Sequence, residues 1–193
     1  MAKIHPDTTS IKSRSPGAYR ERDVIKVLEQ GFDNSYDIFH NLDWSAMKAG
    51  RQTFGELDVA IVSPQGHVVL LEIKAGKLEI VDGSLQKGYK QFGVWSNKSV
   101  ATQTKRQFES MKSMLLDRGL EKVRIVLFLV LPDYEVLDAS ISYPRERIID
   151  SKQFPELISH ITEGLRFYES ALDKRVDLMA FLQNQLFIDT QIQ

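Results

Sequence analysis

Residues 55–74, GELDVAIVSPQGHVVLLEIK, contain two apolar segments on either side of a short turn. The segments Gly55–Ser63 and His67–Ala75 are rich in Val, Ile and Leu, a composition that favours strands. Between them, Pro64-Gln65-Gly66 places proline early and glycine last, as a three-residue hairpin loop prefers. The sequence therefore predicts an antiparallel β-hairpin whose two faces are both largely buried.

The length of this turn predicts which residues of the two strands face each other. A three-residue loop pairs Ser63 with His67. Because strand side chains alternate between faces, counting back gives three further pairs: Ala60 with Leu70, Asp58 with Glu72, and Glu56 with Lys74. A four-residue loop would shift this register by one residue but would still leave Asp58 close to Glu72.

Two carboxylates on one face of a hairpin require neutralisation. Cross-strand β-carbons lie about 5 Å apart, so Asp58 and Glu72 repel each other unless a cation lies between them. Carboxylate oxygens suit Mg²⁺ or Mn²⁺, and Lys74 on the same face can hold an attacking water or a phosphate oxygen. This set of groups fits metal-assisted phosphodiester hydrolysis. The structural alternative is a solvated Glu-x-Lys ion pair, which is common on strands.

The rest of the chain alternates between helical and strand patterns. Helices are predicted at 17–30, 99–118, 155–165 and 168–186, the last with an apolar stripe that includes Leu172 and Val176. Strands are predicted at 35–42, 123–131 and 147–149, and a second, smaller hairpin at 78–89. This order predicts an α/β domain with a mixed central sheet. We expect a loosely ordered arm at 1–14, a core domain at 15–150 and a C-terminal helical segment at 151–193.

The composition excludes several classes of protein. The 193 residues contain no cysteine, which excludes disulfide scaffolds, thiolate metal sites and cysteine nucleophiles. The 25 basic and 26 acidic residues leave a formal net charge of −1, so only local patches bear on a nucleic-acid partner. Because no secretory signal and no apolar run of membrane-spanning length is visible, we expect a cytoplasmic protein with no membrane partner.

The spacing from Asp58 to Glu72-Ile73-Lys74 resembles the core of the PD-(D/E)XK nucleases. It is more narrowly similar to the NERD (nuclease-related) domain family, whose pattern is an acidic-x-Asp strand, a Pro/Gly turn and a strand ending in Glu-Val/Ile-Lys. The similarity runs from about Ser15 to Leu131 and includes Phe39-His40-Asn41 before the hairpin. It implies a restriction-endonuclease-like fold, a mixed central sheet flanked by helices, and a deoxyribonuclease that depends on Mg²⁺ or Mn²⁺.

The resemblance adds three groups to the expected site. It implies that Glu21, on the inward stripe of the first helix, reaches the metal, and that Gln103 is the family's glutamine on the helix after the core. We also expect the backbone carbonyl of Ile73 to be a metal ligand beside Asp58 and Glu72. The alternatives are a first-turn glutamate stabilised by the helix dipole and an exposed helical glutamine. Glu56 is expected to orient Lys74.

Residues 84–107 contain no acidic side chain and carry a local charge of +5. The five cations are predicted to follow a nucleic-acid backbone, with aromatic residues interleaved among them: Lys87, Lys90, Lys98, Lys105 and Arg106. The alternative is a solvated basic face with core aromatics, and Phe92 and Trp95 fit a core better.

Two alternatives to this assignment remain open from the sequence. One is a nucleic-acid-binding or partner-docking module without catalysis on the same fold. The other is a structure-selective junction resolvase, which shares the nuclease chemistry and requires a dimer, a homo-oligomer of this chain. The tail at 181–187 resembles the segment that precedes a helicase-type ATPase domain in longer proteins of the NERD family. We therefore expect the chain to be the N-terminal domain of a longer DNA-processing protein.

Overall fold

The computed structural model describes residues 1–5, 16–48, 51–76, 78–91, 94–137 and 143–185. Side chains are not described at positions 16–17, 41, 43–56, 88–91, 94–98 and 185. Within these ranges the α-helices are α1 (Pro16–Gly31), α2 (Val100–Leu116), α3 (Leu157–Leu165) and α4 (Arg175–Gln185). The strands of the same ranges, in chain order, are β1 (Lys3–His5), β2 (Asp37–Lys48), β3 (Arg51–Val62), β4 (Val68–Ile73), β5 (Glu79–Val81), β6 (Ser84–Gln91), β7 (Val94–Ser99), β8 (Ile125–Val130) and β9 (Ile148–Ile149).

Six of these strands form one mixed sheet in the order β1-β2-β3-β4-β8-β9. Strand β3 is antiparallel to both of its neighbours, β2 and β4. Strands β4, β8 and β9 run parallel to one another. The crossover from β4 to β8 contains α2, as a parallel connection requires. This arrangement confirms the predicted α/β, restriction-endonuclease-like sheet flanked by helices.

The hairpin of β3 and β4 has the predicted register. Ala60 pairs with Leu70, and the Ser63 N–H donates to the His67 carbonyl at 2.9 Å. Gly66 closes the turn at a φ of +83°, which glycine adopts without strain. All six residues of β4 are buried, as expected for a strand covered on both faces.

Alternating side chains of the hairpin supply two separate cores. Val59 and Ile61 pack on one face of the sheet with α1 and α3, through residues such as Ile25 and Ile161. On the opposite face Ala60 and Val62 belong to a cluster that α2 and α4 complete: Met111, Met114, Leu115, Leu178, Phe181 and Leu182. The sheet therefore forms the middle layer of three.

A second sheet of three antiparallel strands, β5-β6-β7, lies between β4 and α2 in the chain. The smaller predicted hairpin corresponds to β5 and β6, whereas β7 at Val94–Ser99 was not predicted. Leu78 and Leu85 pack in a third cluster with Leu129 and Leu131. This contact places the small sheet beside the carboxyl end of β8, where β4 also ends.

Both ends of the chain differ from the sequence-based expectation. Residues 3–5 form an edge strand parallel to β2, where a loosely ordered arm was predicted, and residues 6–15 lie outside the described part. The helix predicted from 168 begins at Arg175. Its predicted apolar stripe is wrong, because Leu172 is 61 % exposed and Val176 is 79 % exposed. Among the helices that the structure describes, none has both the length and the apolar character needed to cross a membrane.

Candidate active site at the end of the hairpin

The β3–β4 ladder stops one residue short of the predicted carboxylate pair. Its last pair joins Val59 to Leu71, so Asp58 and Glu72 are the next residues on each strand. At this point a side-chain hydrogen bond takes the place of a backbone one. Oδ2 of Asp58 accepts a hydrogen bond from the Ile73 N–H at 2.7 Å. Lys74 remains anchored to the sheet on the other side, since its N–H donates to the Val130 carbonyl at 3.0 Å.

Glu72 is held in the interior by one charged partner. Its side chain forms an ion pair with Lys74 through Oε1, and both residues are buried, at 1 % and 7 % exposure. The second carboxylate oxygen, Oε2, is buried and finds no hydrogen-bond donor among the described residues. Such an acceptor costs free energy unless a cation or a donor satisfies it. Glu56, the partner expected for Lys74, has its side chain outside the described part.

The pKa of Asp58 is raised well above the ordinary value of 3.8. Burial is the main cause, and the charge of Glu72 adds to it. Lys74 and the Ile73 N–H act in the opposite direction but do not compensate. The protonated form of Asp58 is therefore favoured to higher pH than in an ordinary aspartate.

Glu21 contributes to the same negative field. It lies on α1, half-buried, shortly before Val24 and Ile25, which point into the core. Its charge also raises the pKa of Asp58. The structure thus brings Glu21 within electrostatic range of Asp58, and its predicted role as a metal ligand stays a prediction.

The carboxylates have the donor chemistry for a hard divalent cation. Within the described ranges, no group of three or more Asp, Glu and His side chains forms a complete metal site. Two carboxylates nevertheless suffice for Mg²⁺, which retains several waters and shares its coordination with substrate phosphates. The oxygen of Glu72 without a hydrogen-bond partner, beside Asp58 with its raised pKa, fits such an ion.

Comparison with known families decides the assignment. The model of the nuclease-related domain (NERD) matches residues 16–132, more than half of the chain. The chain belongs to the nuclease-related domain family. No curated protein and no solved structure matches it.

Gln103 of this NERD domain lies on α2 and is half-buried. No hydrogen bond or ion pair joins it to Asp58 or Glu72 within the described residues, so its predicted place in the site rests on the family resemblance. The more deeply buried polar residues of this helix are Thr104 and Gln107. The Thr104 hydroxyl donates to the carbonyl of Val100 or Ala101, at 3.1 and 3.0 Å.

The five predicted phosphate-binding cations do not form one uniform surface. Lys87 is half-buried, and burial together with the charge of Lys74 lowers its pKa, while Asp58, Glu21 and Glu72 oppose this. Lys87, on β6, is therefore within electrostatic range of the Asp58 and Glu72 carboxylates. Lys105 and Arg106 are exposed on α2, and the side chains of Lys90 and Lys98 lie outside the described part.

Sequence reasoning missed two groups beside this site. Asp133 follows β8 and accepts a hydrogen bond from the Gly76 N–H at 3.0 Å. Tyr143 is half-buried; burial raises its pKa, the charge of Glu72 adds to this, and a hydrogen bond with Thr104 opposes it. One signal pointed to Asp133: the carboxyl ends of parallel strands meet at one edge of a sheet, and Pro132-Asp133 directly follows β8. Tyr143 has no comparable signal.

Proposed function

We propose that this NERD domain is a nuclease that hydrolyses phosphodiester bonds of DNA with Mg²⁺ or Mn²⁺. The observation that carries the proposal is the buried Glu72 Oε2, which has no hydrogen-bond partner among the described residues, in a carboxylate whose charge acts on Asp58. A buried carboxylate with one oxygen ion-paired and the other unsatisfied is suited to a cation ligand. Family membership supports a nuclease-related activity.

The residues divide into ligands and positioning groups. Asp58 and Glu72 would hold the metal, with Glu21 and the Ile73 carbonyl as further ligands. When bound, the metal supplies an activated water and stabilises the charge that develops on the phosphate. Glu72 is well placed for this because Oε1 holds Lys74 and Oε2 is left for the metal.

Lysine side chains would provide the remaining positive charge. The ammonium group of Lys74 is fixed by Glu72 and can donate a hydrogen bond to the attacking water or to a phosphate oxygen. Lys87 of the small sheet is within electrostatic range of the same carboxylates and would bind a second phosphate oxygen. Gln103 would complete the site from α2. The exposed Lys105 and Arg106, together with Lys90 and Lys98, would contact phosphates further along the DNA.

The test is a cleavage assay with end-labelled single-stranded and double-stranded DNA in the presence of Mn²⁺. We expect cleavage by the wild-type protein to require the metal, and Asp58→Ala and Lys74→Ala to reduce it by about 100-fold or more. Glu121→Ala and Lys122→Ala are matched controls, because both residues are exposed in the turn before β8, at the opposite end of the sheet. Both controls should cleave as the wild type does.

Calorimetric titration with Mn²⁺ distinguishes the alternative functions. Loss of Mn²⁺ binding in an Asp58→Ala, Glu72→Ala double variant supports the nuclease. Cleavage that survives both single substitutions would contradict the assignment. DNA binding that is indifferent to the metal, with no cleavage, would identify a binding module. Preference for branched DNA by a dimer would identify a junction resolvase.

A further inference from the structure

Asp133 joins three parts of the fold beside the proposed active site. It lies in the turn that follows β8, and its Oδ2 accepts a hydrogen bond from the Gly76 N–H at 3.0 Å. Its Oδ1 forms an ion pair with Arg20 of α1. One carboxylate therefore bridges the end of β8, the loop after β4 and the first helix.

The two partners of Asp133 are close in sequence to two proposed site residues. Gly76 is two residues after Lys74, and Arg20 immediately precedes Glu21. The loop from Lys74 to Gly76 is thus fixed at both ends, by the Val130 carbonyl at the Lys74 N–H and by Asp133 at the Gly76 N–H. Glu21 comes from a different element, and the Arg20–Asp133 pair links that part of α1 to the residue that holds the loop.

We infer that Asp133 is a positioning residue that fixes Lys74 and Glu21 relative to each other. The inference rests on the function proposed for the Asp58–Glu72 site. Asp133 itself is not proposed as a metal ligand or a catalytic residue of that site. Its carboxylate uses one oxygen for each partner, so it bridges the two segments. The low pKa of Asp133 agrees with this, because the Gly76 N–H and Arg20 outweigh the effect of burial.

A structural role alone predicts a small effect. Arg20 is 42 % exposed in its side chain, and exposed ion pairs contribute little to the free energy of unfolding. Catalysis depends more steeply on geometry, since a displacement of about 1 Å can cost about 100-fold in rate. A positioning role therefore predicts a large loss of kcat with little loss of stability.

Three variants separate the two contacts of Asp133. Asp133→Ala removes both, whereas Asp133→Asn retains an oxygen acceptor for Gly76 and loses the charge that pairs with Arg20. Asp23→Ala is the matched control, because Asp23 also contacts Arg20, at 3.3 Å, but lies on α1 itself and does not contact Gly76. We expect Asp23→Ala to behave as the wild type.

The first measurement is hydrogen exchange of the metal-free protein without DNA. In Asp133→Ala the Gly76 amide should exchange at least about tenfold faster, and the amides at 18–22 should also exchange faster. Amides of the β3–β4 ladder should be unchanged. In Asp133→Asn the Gly76 amide should remain protected while exchange at 18–22 increases. Unchanged exchange at Gly76 in Asp133→Ala, or a uniform increase across the molecule, would overturn the inference.

The second measurement is steady-state cleavage of DNA with Mn²⁺. We expect kcat of Asp133→Ala to fall by about 10- to 100-fold with KM for DNA within about twofold of wild type, and Asp133→Asn to recover part of the loss. A kcat equal to that of Asp23→Ala would also overturn the inference. If the wild-type protein cleaves no DNA, the proposed function fails, and the exchange pattern alone decides whether Asp133 fixes the two segments.

Discussion

Asp58 retains its proton to higher pH than an ordinary aspartate, and this has a consequence for stability. In the unfolded chain the group ionises near 3.8, whereas in the folded protein burial and the charge of Glu72 raise its pKa. Below pH 3.8 both states carry the proton, and the contribution of Asp58 to folding is fully present. As pH rises towards the folded pKa, the unfolded state loses the proton first, so the contribution is lost.

We therefore expect Asp58→Asn to stabilise the metal-free protein at pH 7. Asparagine retains an oxygen acceptor for the Ile73 N–H and removes the cost of ionising a carboxylate beside Glu72. The melting temperature should rise by about 2–4 °C, which corresponds to about 1 kcal/mol in a chain of this size. Thermal unfolding at pH 7 and pH 4.5 tests this, since the gain should shrink at the lower pH. Glu121→Gln, an exposed carboxylate, serves as control, and an equal gain there would contradict the explanation.

At the scale of single residues, the sequence was sufficient where short-range geometry determines position. The period of two along a strand and the three-residue turn placed Asp58 beside Glu72 without any knowledge of the rest of the fold. Lys87 was predicted only as one of five phosphate-contacting cations, because its proximity to the charge of Asp58 depends on how the small sheet packs on the end of β8. That packing involves residues far apart in sequence, which a local pattern does not contain.

At the scale of elements, errors arose where tertiary contacts override local propensity. The sequence pattern favoured a helix from residue 168, but the Ala171 N–H donates to the Gln65 carbonyl in the β3–β4 turn at 2.8 Å. Residues 168–171 are consequently not helical, and α4 begins at Arg175. The guanidinium of Arg175 then donates to the Ser63 carbonyl and contacts Asp37, at 3.1 and 2.6 Å, which fixes the start of the helix against the hairpin.

The close contact between the turn and Ala171 predicts that Gly66 tolerates no side chain. A Cβ at this position would lie 2.4 Å from the Ala171 carbonyl oxygen, and the φ of +83° adds backbone strain. Gly119 has a similar φ of +68° but open space around it, so Gly119→Ala isolates the backbone strain. We expect Gly119→Ala to cost about 1–2 kcal/mol in the free energy of unfolding, and Gly66→Ala clearly more. Urea denaturation measures both, and equal losses would show that the contact with Ala171 does not constrain the turn.

The apolar face of α4 can be tested in the same way. Leu178 is fully buried in the cluster against α2, whereas Val176, which the sequence pattern placed on the inward stripe, is 79 % exposed. Leu178→Ala should therefore lower the free energy of unfolding by about 2–5 kcal/mol. Val176→Ala should change it by no more than about 0.5 kcal/mol. If urea denaturation showed a larger loss of stability for Val176→Ala than for Leu178→Ala, the apolar stripe predicted from the sequence would be correct after all.

At the scale of the whole molecule, the packed core extends further along the chain than the residues that match the family. The NERD match ends at residue 132, yet α3 and α4 lie beyond it and each covers one face of the central sheet. Hydrophobic periodicity predicted both helices and the mixed sheet, although the apolar stripe that it gave α4 is wrong. It did not predict which face each helix covers, since both faces of the hairpin were expected to be largely buried.

The near-neutral charge of the whole chain makes the salt dependence of DNA binding a sharp test of local contacts. With a net charge of −1, the protein has little overall attraction for DNA, so the proposed DNA binding would have to come from individual cations near phosphates. Each phosphate contact contributes a slope of about −0.9 to a plot of log K against log salt concentration.

We expect a Lys105→Ala, Arg106→Ala double variant to lower the magnitude of that slope by about 2, because both side chains are exposed on α2 and are proposed to contact phosphates. Fluorescence anisotropy with labelled DNA, without divalent metal so that no cleavage occurs, measures the slope between low and moderate salt. Lys122→Ala is the control, since Lys122 lies in the turn before β8, away from the end of the sheet that carries Glu72. A slope unchanged in the double variant would exclude α2 from the DNA path and leave Lys87 as the only described cation of the predicted set at the phosphates.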